Sequence, residues 1–308
     1  MILRSATTRT AAIGLAAVAG TFAFGACSSD NSSSGNTNPS SSGTPSVSAD
    51  AALAAQVPEA IKSSGKLAFG TDASYAPSEF IAEDGSTIVG FDIDLGNAIA
   101  AKLGLKGEWS NSSFDSLIVG VQNGKFNSSM SSFTINPERL KQANMVSYFS
   151  AGTAWATATG NPDNIDPNNA CGKAVAVQKA TVQATDDIPA KQKACKAAGK
   201  PAINVQQYNL QSDATTAVVS GKADAMLADS PVIAYAIKQT GKLEQVGEIT
   251  EAAPYGIVVA KDQKAFAETI KAATQALIDD GAYKQILTNW GVESGAITQA
   301  ELNPTPAS

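Results

Sequence analysis

The chain has 308 residues, a formal net charge of −6, no histidine and an ordinary globular apolar content of 44%. The missing histidine excludes His-based triads and His metal sites, and net acidity without a Lys/Arg-rich cluster argues against a nucleic-acid surface. No metal and no cofactor is expected.

Arg4 and Arg9 make a positive start, and an apolar stretch runs from Ala11 to Phe24. That stretch is shorter than the about 20 residues a spanning helix needs, and it fits an export signal. It ends in Phe24-Gly25-Ala26-Cys27, small residues directly before a cysteine. This ending resembles the lipobox of bacterial lipoproteins, with Phe24 where Leu is usual. The resemblance implies a lipoprotein signal peptide over 1–26 and a lipid on Cys27; an ordinary secretory signal with an incidental cysteine is the alternative. Residues 28–49 are almost all Ser, Gly, Asn, Thr and Pro. They bury too little apolar surface to offset chain entropy, so 27–50 reads as a lipidated Cys and flexible tether. The expected location is the outer face of the cell membrane, held by the lipid. In an exported chain the two remaining cysteines, Cys171 and Cys195, read as a disulfide. Such a bridge contributes roughly 3–4 kcal/mol in the chain-entropy model; two free buried thiols are the alternative.

From residue 66 short apolar runs alternate with helical periodicity. Leu67-Ala68-Phe69-Gly70 reads as a buried strand and Gly90-Phe91-Asp92-Ile93 as a second, with Asp92 or Asp94 capping the helix that follows. Leu95, Ile99 and Leu103 recur at helical spacing, and Gly104 ends that helix. Trp109 falls in the next strand. Phe114 opens a helix closed at Gly124, and a short strand follows at 126–130. A second set begins with the strand Ala174–Val177. Thr181 starts a helix expected to break before Pro189, and a further helix carries Cys195 to Gly199. Strands follow at 203–205, 223–228 and 255–259, with a helix over 211–220. Phe266, Ile270, Ala273 and Leu277 mark a long amphipathic helix, and Tyr283, Leu287 and Trp290 another. The tail after 298 is low in apolar content and is expected to fray. This βα order predicts an α/β fold with a mainly parallel sheet and helices on both faces, in two assemblies.

The stretch Ser131–Arg139 is chemically distinctive. An Asn136-Pro137 helix start brings Arg139 near two hydroxyls and several backbone N–H groups. A guanidinium fork matches a carboxylate bidentately, and hydroxyls and N–H groups complete such a shell. A capped surface helix with a solvated Arg is the alternative.

Five motifs follow in order: Gly70-Thr71-Asp72-Ala73-Ser74-Tyr75-Ala76-Pro77, Gly90-Phe91-Asp92-Ile93-Asp94-Leu95, Phe114-Asp115-Ser116-Leu117-Ile118, Thr134-Ile135-Asn136-Pro137-Glu138-Arg139 and Ala228-Asp229-Ser230-Pro231. Together they resemble the polar amino-acid substrate-binding proteins of ABC importers, the family 3 solute-binding proteins, over nearly all of residues 65–293. The resemblance implies the two-lobe type II periplasmic-binding-protein fold with two crossover strands. It places lobe 1 at 51–150 and 256–308, lobe 2 at 155–248, and hinges near 151–154 and 249–255.

The resemblance also implies site roles. Arg139 would hold a ligand α-carboxylate, helped by Thr134 and Thr181. Asp229 would take the α-ammonium with Ser132. Tyr75 and Phe114 would flank the side chain, Asp72 would lie near its far end, and Gln183 falls at a further contact position. The alternatives are core aromatics for Tyr75 and Phe114, an N-cap for Asp229 and a brace of the 70–77 turn for Asp72. The chain departs from the family pattern at Asn127, Asn144, Ser78 and Ala180, the last replacing a glycine just before Thr181. The implied function is capture of a free amino acid outside the cytoplasm and delivery to ABC permease subunits by lobe closure, as a monomer and without catalysis. The alternatives are a ligand-sensing lipoprotein and a cyclohexadienyl-dehydratase-like enzyme.

Overall fold

The computed structural model describes residues 45–305. The expected signal segment, Cys27 and residues 28–44 of the tether lie outside the described residues.

Asp50 caps the first short helix, α1 (Ala51–Ala55), by accepting the N–H groups of Ala52 and Leu53 at 2.8 and 3.1 Å. Helix α2 (Glu59–Ser64) ends at the left-handed Gly65 and feeds β1 (Lys66–Thr71). A small antiparallel unit follows, made of β2 (Ser74–Tyr75), β3 (Glu79–Ile81) and β4 (Ile88–Val89). Then come α3 (Phe91–Lys102), β5 (Lys106–Asn111), α4 (Phe114–Gln122), β6 (Ser128–Ser129), α5 (Pro137–Gln142) and β7 (Ala143–Ala158). The chain continues through β8 (Ala174–Gln178), a π-helical turn (Gln183–Asp187), α6 (Ile188–Ala197), β9 (Asn204–Tyr208) and α7 (Gln211–Val219). It closes with β10 (Ala225–Asp229), α8 (Ser230–Thr240), β11 (Leu243–Ala260), α9 (Lys264–Asp279) and α10 (Ala282–Trp290).

Eight strands form one sheet in the order β5-β1-β6-β11-β7-β10-β8-β9. Its two outer parts are parallel, and β7 and β11 lie antiparallel between them. These central strands have 16 and 18 residues and serve both parts. Met145, Val146, Ile257 and Val258 belong to the part that contains β6, whereas residues 153–157 of β7 pair with β10. Between the two parts the β7–β11 register slips three times, between Val246 and Gly256. Gly152 sits inside that irregular stretch, where a Cβ would come within 2.5 Å of the Thr250 carbonyl oxygen.

The core follows the periodicity. Helices α3, α9 and α10 press Leu95, Ile99, Ile270, Leu277 and Leu287 onto Phe69, Val146 and Ile257. Each such buried side chain contributes about 1.5–3 kcal/mol. Two further clusters flank β10, one around Trp155, Val175 and Leu227 and one around Val218, Met226 and Ile233. Cys171 and Cys195 are joined in a disulfide that ties the approach to β8 onto α6, with Cα atoms 5.6 Å apart.

Three local expectations are corrected. The Gly90–Ile93 run is the start of α3, because the strand is Ile88–Val89 and stops before it. Gly90 has φ 140, and a Cβ there would meet the Ser78 carbonyl oxygen at 2.0 Å, so the turn demands glycine. Neither Asp92 nor Asp94 is therefore the cap: both lie inside the first turn of α3, Asp92 buried and Asp94 accepting Trp290 Nε1–H at 2.8 Å. The helix at Pro189 does not break. The π-helical turn runs directly into α6, whose first turn tolerates the missing proline N–H. The tail does not fray at 301–303: Ser147 donates its N–H to Glu301 O at 2.9 Å and Asn303 donates to Met145 O at 2.7 Å. Asn127 and Asn144, two departures from the family pattern, tie strand ends by accepting Ala68 N–H and donating to Ala260 O.

Candidate functional site

The ends of five strands converge on one cavity. Strand β1 leads to Asp72, and β2 ends at Tyr75. Strand β6 leads to Ser131, Ser132 and Thr134, β8 ends at Gln178, and β10 ends at Asp229. Ligands of open α/β sheets bind outside such carboxyl ends. All nine residues singled out in the sequence line this cavity: Arg139, Asp229, Thr134, Ser132, Tyr75, Phe114, Asp72, Thr181 and Gln183. The cavity is narrow. The centre of a water-sized sphere has about 10 Å³ in which to move, about what a single water needs.

Arg139 is the one cation on the lining. It is 8% exposed, so the solvated-Arg alternative fails. The Asn136 side chain caps α5 by accepting the Arg139 N–H at 2.9 Å, and the Ile135 N–H is taken by Pro254 O. Those two backbone donors are therefore spent within the fold. The guanidinium lies over the stacked rings of Phe114 and Phe133, with Cζ 5.4 and 5.5 Å from their centroids. It donates to Thr134 O at 2.7 Å and Ala180 O at 3.2 Å. That engages two of its five N–H groups and leaves three for another acceptor. No carboxylate lies within ion-pairing distance of it among the described residues. Burial lowers its pKa to about 10, opposed chiefly by Asp229, so it is charged at neutral pH.

Asp229 occupies the N-cap position of α8, but its side chain makes no capping bond. Its oxygens accept Gln183 Nε2–H at 2.8 Å and the Tyr255 hydroxyl at 2.7 Å. Burial raises its pKa, and the bonds from Tyr255 and Gln183 pull it back. The Tyr75 hydroxyl accepts the Asp229 backbone N–H at 3.3 Å. Tyr75 thus packs as a buried aromatic while its polar end reaches the site.

Asp72 does brace its turn, accepting Ser74 Oγ–H at 2.7 Å and Phe114 N–H at 2.9 Å. It also accepts Gln178 Nε2–H at 3.1 Å, from the opposite part of the sheet. Burial raises its pKa, and no cation pairs with it among the described residues. Thr181 Oγ1 donates to Gln178 O, and Ser132 Oγ is enclosed without a partner. Ala180 adopts φ 64, a left-handed conformation that favours glycine, and its carbonyl accepts from Arg139.

Gln178, Ser131, Val182 and Tyr255 were not singled out as site residues from sequence. Gln178 carried a usable signal, as the polar end of the apolar strand Ala174–Val177. Tyr255 had none, because it sits in a strand pattern and reaches Asp229 only through the sheet. No cluster of His, Cys, Asp or Glu able to hold a metal occurs among the described residues, and no described helix is long and apolar enough to cross a membrane.

Residues 67–293 match the family model described as bacterial extracellular solute-binding proteins, family 3. The chain is 38% identical to the arginine-binding protein ArgT of Corynebacterium glutamicum, over 82% of this chain and 83% of that protein. Its structure resembles that of an ancestral arginine-binding protein bound to arginine, with TM-score 0.67 and 35% identity over 73% of this chain and 98% of that one. It also resembles the ancestral amino acid-binding protein AncCDT-1, a precursor of cyclohexadienyl dehydratase, with TM-score 0.66 and 32% identity over 75% of this chain and 98% of that one. The chain belongs to the family 3 bacterial extracellular solute-binding proteins and has their type II periplasmic-binding-protein fold.

Proposed function

We propose that this protein captures a free basic amino acid, arginine first among them, outside the cytoplasm and delivers it to the permease of an ABC importer. The observation that carries this reading is the charge pattern of the cavity. Arg139 has spare donors and no ion pair, and Asp229 shares the cavity with it. An α-amino acid is a zwitterion, and charge-assisted bonds are strong where water is excluded. With Arg139 taking the α-carboxylate and Asp229 the α-ammonium, Asp72 remains as a buried carboxylate without a cation. A ligand with a cationic side chain neutralises it, and a neutral ligand leaves it unbalanced. The curated and structural relatives that bind arginine support the same choice.

Thr134, Thr181 and Ser132 supply neutral groups around the ligand backbone. Tyr75 and Phe114 flank the side chain, and Gln183 steadies Asp229. A cavity this narrow admits no amino acid, so capture requires the two parts of the sheet to separate. Residues 51–150 with 256–308 form one lobe and 155–248 the other, turning at 151–154 and 249–255. The three register slips of β7 against β11 support that placement. Ligand then stabilises the closed form through contacts that exist only when the lobes meet. The protein works as a monomer, tethered at the outer face of the cell membrane by a lipid on Cys27, and performs no chemistry on its ligand.

Calorimetry with L-arginine, L-lysine, L-histidine, L-glutamine and L-glutamate tests this reading. Tightest binding by L-arginine supports it, and a panel in which no amino acid binds removes it.

A further inference from the structure

Behind the cavity wall two acidic side chains are buried against each other. Glu79 on β3 and Asp92 in the first turn of α3 are both 0% exposed. Glu79 Oε1 accepts Ser131 Oγ–H at 2.9 Å, and Ser131 Oγ in turn accepts the Asp72 N–H at 3.0 Å. Asp92 Oδ2 accepts the Ser132 N–H at 3.1 Å and the Tyr148 hydroxyl at 2.7 Å. The remaining oxygens, Glu79 Oε2 and Asp92 Oδ1, are enclosed and have no hydrogen-bond partner. The two side chains lie close enough that each shifts the other's pKa. Two adjacent buried carboxylates without a cation repel and are costly to ionise together, so one of them is held as a carboxylic acid.

The surroundings say which. Asp92 faces two donors, from Tyr148 on β7 and from the Ser132 backbone, and these favour its ionised form. Glu79 faces one donor, Ser131, and the negative charges of Asp92 and Asp72. The other ionisable neighbours are Tyr75 and Tyr148, and no lysine or arginine pairs with either carboxyl among the described residues. Ser132, which the pair holds, has φ 50, a left-handed conformation that a serine adopts only when its surroundings fix it.

We infer that Glu79 and Asp92 are positioning residues that share one buried proton, and that the protonated pair clamps Ser131 and Ser132 in the turn that shapes the ligand cavity. Neither side chain lines the cavity, so they act on the ligand through the two serines. Glu79 carries the proton, which gives Oε2 a donor for Asp92 Oδ1. Its folded pKa is raised, so its support of the turn is complete below the ordinary carboxyl range and is lost as pH rises through the folded value. Loss of the proton would leave two adjacent buried anions without a cation, and the turn would give way.

The clamp is independent of which amino acid binds, and one arm of its test needs no ligand. Infrared difference spectra of the full chain at neutral pH, wild type minus Glu79→Gln, should show the C=O stretch of a protonated carboxyl that shifts in heavy water. Glutamine keeps both contacts, since its amide N–H donates to Asp92 and its oxygen accepts from Ser131. In the second arm L-arginine affinity is measured from neutral to alkaline pH. Glu79→Gln should match wild type within about threefold at neutral pH and keep its affinity where wild type loses it, whereas Glu79→Ala should lose about tenfold or more at every pH. Absence of the protonated-carboxyl band overturns the inference, as does equal alkaline loss in wild type and Glu79→Gln. If L-arginine fails to bind wild type at all, the functional reading falls and the infrared arm still decides the clamp.

Discussion

Arg139 and Asp229 line the same buried cavity, carry opposite charges and do not pair. Each lowers the cost of burying the other's charge at a distance. Neither is within ion-pairing reach of an opposite charge among the described residues. Burying unpaired charge is expensive, and proteins accept it where a ligand completes the pairing. Four consequences can be measured.

Arg139→Ala should weaken L-arginine binding by about 3–5 kcal/mol, because the ligand carboxylate would enter a buried site without its cation. The fold should survive, since the guanidinium makes two hydrogen bonds to backbone carbonyls and no ion pair. Calorimetry with circular dichroism as the folding control measures both. Affinity within a factor of two of wild type would remove Arg139 from the carboxylate role.

Asp72→Asn separates ligand side chains. An asparagine oxygen can still accept from Ser74 or Phe114, so the turn should hold. L-arginine affinity should fall by about tenfold or more through loss of a buried charge partner, and affinity for L-glutamine should hold or rise. Parallel losses for both ligands would show that Asp72 only braces its turn.

Ala180→Gly should stabilise the protein by about 1 kcal/mol, because φ 64 is strained for alanine and free for glycine. The gain should appear as a higher denaturation midpoint with an unchanged slope. A lower midpoint would mean that unfolded-state entropy outweighs the relieved strain.

Asp187 gives a pH dependence with a defined sign. It accepts Thr153 Oγ1–H at 2.9 Å, joining the π-helical turn to β7. Burial, with repulsion from Glu251 and Asp186 adding to it, raises its pKa to about 6. A carboxyl with a raised folded pKa contributes stability that is complete below its unfolded value and is lost as pH rises through about 6. Asp187→Asn should therefore have a higher melting temperature than wild type above that pH and little advantage at pH 4. A difference that does not change with pH would place the effect in packing.

Much of the site was legible because short motifs fix it locally. Asn136 and Pro137 set the start of α5 that holds Arg139, and Ser230-Pro231 starts the helix after Asp229. Helices α3, α9 and α10 were legible from spacing, since their buried positions recur on one face. The turn at 90–93 misled because Phe91, Ile93 and Leu95 alternate like a strand and are buried on a helix. Strand β7 left little signal: it is buried along nearly its whole length, so Ser147, Thr153 and Thr157 interrupt its apolar run without marking a solvent face. Gln178 and Tyr255 reach the site through strand pairings between residues far apart in sequence, which local patterns do not encode.

The central placement of β11 has a consequence for the order in which the chain matures as it emerges from its N-terminus. Strands β8, β9 and β10 pair with one another and with the far end of β7, all within residues 153–229. Strands β5, β1 and β6 are separated from β7 by β11, and β6 meets β11 at Val258 and Val259. The part of the sheet synthesised first must therefore wait, unsealed, until residues near 260 arrive. The part synthesised later can close ahead of it. A chain truncated between β10 and β11 would leave two edges open, that of β6 and the side of β7 that Leu243–Val246 cover, the kind of edge that a chaperone or a second chain would cover.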